Sequence, residues 1–288
     1  MSQETEVYSS YFFLVIAMLS IQFGASIAKG LFVDLGPAGT TALRVFFSAL
    51  ILLAIANPLK NKSIFKKIIS DKSQLALIAG YGLSLGLMNL FFYFSLQRIP
   101  LGLAVTIEFA GPLAVSILYS HKWRDVIWVI LAASGLGILF YHSGENKIDY
   151  MGMFLALVAA FFWALYIIFG KKAIRGGHAS LIVSSLGMCF AAAVALPAGL
   201  LLNTQQVINP NYWLAGLGVA ILSSAIPYSL ELKAMNKIPE KTFGILMSFE
   251  PIVATMIGLI FLHESLDIVQ ITAMSFVIAA CVGSSYES

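Results

Sequence analysis

The chain has 288 residues, 59% of them hydrophobic and only 11% charged, with a mean hydropathy of +0.90. A soluble domain carries about 25% charged residues, so this composition excludes a water-compatible surface and reads as an integral membrane protein. The net charge of +3 matters less than where the charges fall. Cys189 and Cys281 lie within apolar runs, share no metal-ligand spacing and read as packed thiols.

Residues Met1 to Ser10 include Glu4 and Glu6 but no Lys or Arg, so the first apolar run is expected to stay as a helix rather than be cleaved as a signal. A spanning helix needs about 20 mostly apolar residues. Ten candidates follow in order, at 11–31, 38–57, 75–96, 101–120, 125–141, 150–170, 179–202, 211–232, 241–262 and 267–284. The first places Gln22 and Ser26 on one face at i, i+4 and closes at Lys29. The second contains Arg44. The third contains Gly82 and Gly86, with Asn89 and Tyr93 again four residues apart. Glu108 and Pro112 fall in the fourth, Trp163 and Tyr166 in the sixth, Pro227 and Tyr228 in the eighth, and Glu250 and Pro251 in the ninth.

A segment of the fourth span recurs in the ninth. Gln97-Arg-Ile-Pro100 through Pro112 returns as Asn236-Lys-Ile-Pro239 through Pro251, and a single offset of 139 relates both prolines of each copy. The expectation is an all-α membrane protein of ten transmembrane helices, formed by a five-helix repeat at 1–145 and a second at 146–288. Lys and Arg are retained on the cytoplasmic side. Lys60, Lys62, Lys66, Lys67, Lys72, Lys122, Arg124, Lys171, Lys172, Arg175, Lys233, Lys237 and Lys241 fall on one side, against Lys29, Arg98 and Lys147 on the other. That bias puts both termini in the cytoplasm. Five crossings per half then make the repeats inverted, an architecture used for alternating access.

Ionisable groups inside spans are costly and mark candidate sites. Arg44, Glu108 and Glu250 are such groups, and the two glutamates are the candidates for proton coupling. Pro112, Pro227 and Pro251 are candidate helix breaks, since a mid-helix proline frees a backbone carbonyl and bends the helix. A carboxylate beside such a break suits an ammonium group or a proton; the plainer reading is that each Glu pairs with Arg44 or bonds a neighbouring helix. Lys29 is equally readable as a snorkelling anchor or as a group that attracts anions. Gln22, Ser26, Asn89, Tyr93, Trp163, Tyr166 and Tyr228 are singly explained as interhelical hydrogen bonds of about 0.6–2 kcal/mol. Together they supply the donors and acceptors that a small zwitterion needs.

Enzymatic chemistry is disfavoured. Gly82-Leu-Ser84-Leu-Gly86 matches a nucleophile elbow, but His121, His142, His178 and His263 all sit at span ends or in loops. The two glycines fit close helix packing instead. No metal or phosphate-binding spacing appears, no cofactor is implied, and topology explains the basic 60–72 segment without nucleic acid.

Several segments carry a family likeness. They are Ile21-Gln-Phe-Gly-Ala-Ser-Ile-Ala-Lys29, Thr41-Ala-Leu-Arg44, Tyr81-Gly-Leu-Ser-Leu-Gly-Leu-Met-Asn89, Glu108-Phe-Ala-Gly-Pro112, Ala220 through Glu231, Thr242 through Pro251 and Phe261-Leu-His-Glu264. In this order, over nearly the whole chain, they resemble the EamA-type branch of the drug/metabolite transporter superfamily, nearest to its exporters of threonine and homoserine. The resemblance implies an exporter of small neutral amino acids in the bacterial inner membrane, with protons and lipid as its other partners; a monomer is the separate expectation. Phe23 stands where the likeness has a glycine, and a bulky side chain near the cavity is expected to narrow the substrate range. An exporter of another metabolite, such as a purine, a drug-like cation or an aromatic amino acid, is the alternative.

Overall fold

A computed structural model of the chain describes residues 3–57, 60, 62–119, 125–146, 149–174, 180–227, 230 and 246–287. Nearly all of them are helical, as the apolar composition requires: in lipid, a helix satisfies its own backbone hydrogen bonds. The elements are α1 (Gln3–Gly30), α2 (Phe32–Ala56), α3 (Lys62–Ser70), α4 (Lys72–Leu96), α5 (Leu101–Glu108), α6 (Ala110–Tyr119), α7 (Asp125–Asn146) and α8 (Tyr150–Ile174). There follow α9 (Ser180–Ile208), α10 (Trp213–Ala220) continued by a π-helical turn (Ile221–Ala225), α11 (Glu250–Phe261) and α12 (Ile268–Glu287). Among the described residues, five helices are long and apolar enough to cross a membrane, within α1, α2, α4, α8 and α9. Shorter apolar helices occupy 101–115, 126–141, 250–261 and 268–284. The chain is a multi-pass membrane protein whose described elements are all helical.

Local chemistry sets the helix limits. Gly36 takes φ 63°, ψ 165° inside α2, so the long helix begins afresh at Pro37, and it ends where Asn57 turns left-handed at φ 42°. Asp71 caps α4 by accepting from the backbone N–H groups of Ser73 and Gln74. Asp149 caps α8 in the same way through Met151 and Gly152, and Arg98 donates to it at 2.6 Å. That guanidinium, with the two backbone donors, holds the Asp149 carboxyl below its ordinary range.

One element lies where sequence patterning suggested only a basic loop. α3 forms because Ile64, Phe65 and Ile68 fall on one face and pack against Ile78, Ala173, Ile182 and Val183, while Lys66 and Lys67 stay exposed. Charge counting considered the lysines alone and passed over the apolar face between them.

The helices pair in a consistent pattern: α2 lies on α9, α4 on both α8 and α9, α5 on α11, and α7 on α12. α1 packs on α10, its π-turn and α11. Close approach of α4 to α9 uses the small residues singled out from the sequence. A Cβ on Gly82 would strike the Gly187 carbonyl oxygen, and one on Gly86 would come within 2.8 Å of the Ala191 carbonyl oxygen. Backbone cannot yield as a side-chain tip can. Gly82→Ala is therefore expected to destabilise the protein by about 1–3 kcal/mol through overpacking, read as a lower Tm in detergent. An unchanged Tm would mean that the two helices separate freely.

Candidate functional site

The fourth span is broken in the middle. Pro112 has no N–H to give the Glu108 carbonyl, and the helix is interrupted at Phe109, so Glu108 ends α5 at the lip of the break. The ninth is interrupted at Ser248–Phe249, and Glu250 opens α11 immediately after, followed by Pro251. Under the 139-residue offset, Phe109 corresponds to Ser248. Each break carries a carboxylate: Glu108 precedes the first and Glu250 follows the second. Glu108 and Glu250 are both buried, at 6% and 5% exposure. Glu108 lies close enough to Glu250 and Arg44 for both charges to act on it.

A third break builds the cationic side. Pro227 has no N–H for the Ser223 carbonyl four residues earlier. Just before it the helix widens into a π-turn, in which Ile226 N–H donates to the Ile221 carbonyl instead of that of Leu222. Two carbonyls are left for other helices to satisfy. Ser20 of α1 donates its hydroxyl to the Leu222 carbonyl at 2.7 Å, and Arg44 of α2 donates Nη2 to the Ser223 carbonyl at 3.2 Å. The guanidinium also donates Nη1 to the Tyr93 hydroxyl at 3.0 Å, and its carbon lies 5.3 Å from the centre of that ring. Tyr93 is itself fully buried and tilted against Phe32.

Of the residues proposed from sequence, the structure brings Gln22, Arg44, Tyr93, Glu108 and Glu250 into one buried polar region. Gln22 Nε2 donates to Glu250 Oε1 at 2.7 Å across the α1–α11 contact. Four polar atoms here have no hydrogen-bond partner among the described residues: Gln22 Oε1, Arg44 Nε, Glu108 Oε1 and Ser223 Oγ. Buried polar groups are normally paired, so these are the open valences of the region.

Other proposed residues sit differently. Ser26 is buried on α1, one turn from Gln22. Asn89 is buried and its amide donates back to the Leu85 carbonyl at 2.8 Å. Trp163 packs edge-on against Phe109, and Tyr166 stacks on Tyr81. Tyr228 lies outside the described residues. Lys29 is engaged elsewhere: it donates to Glu264 Oε1 at 2.6 Å and to the Ile99 carbonyl at 2.9 Å. Ser20, Ser223 and Glu264 were not marked by sequence reasoning as site residues. For Ser223 a signal existed, four residues before a mid-span proline.

A helical bundle that encloses opposite buried charges beside broken helices defines a multi-pass membrane protein with a polar site in its interior. Residues 150–286 match the EamA-like transporter family. The chain is 42% identical to the threonine/homoserine exporter RhtA of Escherichia coli K12 over 94% of this chain and 90% of that protein. It is 43% identical to the same-named exporter of Salmonella typhimurium LT2 over the same shares. An uncharacterized transporter, YwfM of Bacillus subtilis, is 26% identical over 55% of this chain and 53% of its own length. A crystal structure covering 95% of both chains superposes with a TM-score of 0.61 at 16% identity, a likeness that speaks to the fold alone. The chain belongs to the EamA-like transporter family.

Proposed function

We propose that this protein exports small neutral amino acids of the threonine and homoserine type across a bacterial inner membrane, in exchange for protons and by alternating access. The observation that carries the reading is the buried convergence of one guanidinium with two carboxylates, a pattern complementary to a zwitterion. The named exporters, 42% and 43% identical over 94% of this chain, narrow the cargo class.

Within the site, the cargo carboxylate meets Arg44 and its ammonium meets Glu108. Arg44 Nε and Glu108 Oε1 are a donor and an acceptor without partners among the described residues. Lys29 and Glu250, the other candidates for these roles, already hold Glu264 and Gln22. Larger aromatic cargo is the weaker alternative, because the rings it would stack on, Trp163 and Tyr166, are packed against Phe109 and Tyr81.

The transport unit is two inverted five-helix repeats with both termini in the cytoplasm. Support comes from the pairing of helices, which is unchanged when the halves are exchanged. Spans two and seven (α2, α9), four and nine (α5, α11) and five and ten (α7, α12) pack directly on their counterparts. The contact of spans three and six (α4, α8) has its mirror in that of eight and one (α10, α1). The family match also occupies a single half, 150–286.

A panel of labelled amino acids and metabolites, offered to proteoliposomes with and without an imposed pH gradient, tests the assignment. Threonine and homoserine flux that responds to the gradient is the expected result. Movement of a different compound with no threonine or homoserine flux would overturn the cargo.

A further inference from the structure

Away from the buried charges, at the ends of α1, α5 and α11, a second polar cluster joins the two halves of the chain. Glu264, three residues past α11, is 235 positions from Lys29, and their ion pair measures 2.6 Å at 22% and 12% side-chain exposure. The other carboxylate oxygen accepts the Leu101 backbone N–H, the first of α5, at 2.8 Å. Lys29 completes the ring through the Ile99 carbonyl. Three features show that the arrangement is constructed. Pro100 precedes α5 without a side-chain cap, so the helix takes its anionic cap from the opposite half of the molecule. His263 adopts the left-handed region at φ 52°, a conformation that costs a non-glycine residue energy and turns the chain back over α11. Gly258 leaves the space that the Glu264 carboxylate occupies, since a Cβ there would overlap Oε2.

α5 is eight residues long, and Glu108 is its last. At 1.5 Å per residue, the cap and the buried carboxylate are about 10 Å apart on one short rigid rod, which is hinged at Phe109 beyond. Release of the cap removes the tie between the start of α5 and the end of α11. We infer that Glu264 is a positioning residue for transport: with Lys29 and the α5 N-terminus it forms a latch that closes the outer mouth, and the latch must open before cargo leaves Glu108. The outward assignment rests on the orientation given under Proposed function. His263 and Asp267 flank Glu264 in the chain, and nearby Arg98 and Asp149 are paired with each other.

The test uses the full chain in right-side-out and inverted vesicles, with Cys189 and Cys281 replaced by Ser and one reporter, Ala104→Cys, in α5. Ala104 is fully buried with the latch shut. Glu264→Gln keeps an acceptor for Leu101 but removes the charge that holds Lys29. Gly258→Ala removes no charge and displaces the carboxylate. Gly30→Ala is the control, because a Cβ there meets nothing within 4 Å. Expected is a several-fold faster reaction of the reporter with a membrane-impermeant maleimide from the outer side in both latch variants, with the control at background. Outer-side rates that stay at background in both variants, with each protein eluting as a single species, would overturn the latch. Faster labelling from the cytoplasmic side alone would overturn the outward assignment, and with it the orientation proposed for the whole protein.

Discussion

Glu108→Gln is expected to abolish the response of amino-acid flux to an imposed pH gradient while leaving the folded protein intact. Glutamine matches glutamate in volume and still accepts a hydrogen bond, but it neither titrates nor carries the charge that an ammonium seeks. Glu108 Oε1 has no partner among the described residues, and the charges of Glu250 and Arg44 both act on the carboxylate. A proton and an ammonium are therefore alternative partners for one group, the minimal requirement for exchange. Replacing a hydrogen-bonded buried ion by a neutral isostere commonly costs a few kcal/mol in the interaction it made. That translates to a loss of about a hundredfold or more in cargo binding. Gradient-driven threonine flux in proteoliposomes and cargo binding to the purified variant check the two consequences separately. Unchanged gradient dependence would remove Glu108 from coupling. Glu250→Gln, whose amide oxygen still accepts from Gln22, would then become the variant to examine.

The contrast between what the sequence disclosed and what it concealed follows from the range of each signal. Class was legible because hydropathy is summed over whole helices. The Gly82 and Gly86 spacing was legible because small-residue packing repeats within one helix. The prolines announced that the carbonyls of Glu108 and Ser223 lose their usual donors, which is again a local fact. What receives a freed carbonyl is not local. Arg44 and Ser223 are 179 positions apart, and only the approach of α2 to the π-turn joins them. Lys29 has the same ambiguity in sequence whether it anchors in lipid, attracts an anion or pairs with Glu264, since each needs only a basic residue at a helix end. Trp163 and Tyr166 read as candidate site residues from their type, and the sequence could not show that their rings also pack on Phe109 and Tyr81. Side chains whose role depends on direction are therefore the ones that composition leaves open.

Arg44 poses the sharpest separation of structure from transport, because two of its contacts are structural and one nitrogen remains open. Arg44→Ala should lower stability by about 3 kcal/mol, since it strips a donor from a buried carbonyl and a buried phenol together and leaves two carboxylates near each other without their cation. Arg44→Lys keeps charge but loses the planar fork, so one ammonium cannot serve Tyr93, Ser223 and a cargo carboxylate at the separate positions the guanidinium reaches. Both variants are expected to lose threonine flux. Pro227→Ala supplies the discriminating second substitution. It returns an N–H to the backbone four residues after Ser223, so the carbonyl that Arg44 served regains a donor within its own helix. The pair Arg44→Ala with Pro227→Ala should recover part of the lost Tm, by about 1 kcal/mol for one restored hydrogen bond, and none of the flux. A non-additive gain in stability of that kind measures the coupling of the two positions. If flux returned along with stability, Arg44 would be a strut for the π-turn and the cargo carboxylate would have to bind elsewhere. If neither returned, the carbonyl freed by Pro227 would not be what holds the guanidinium in place.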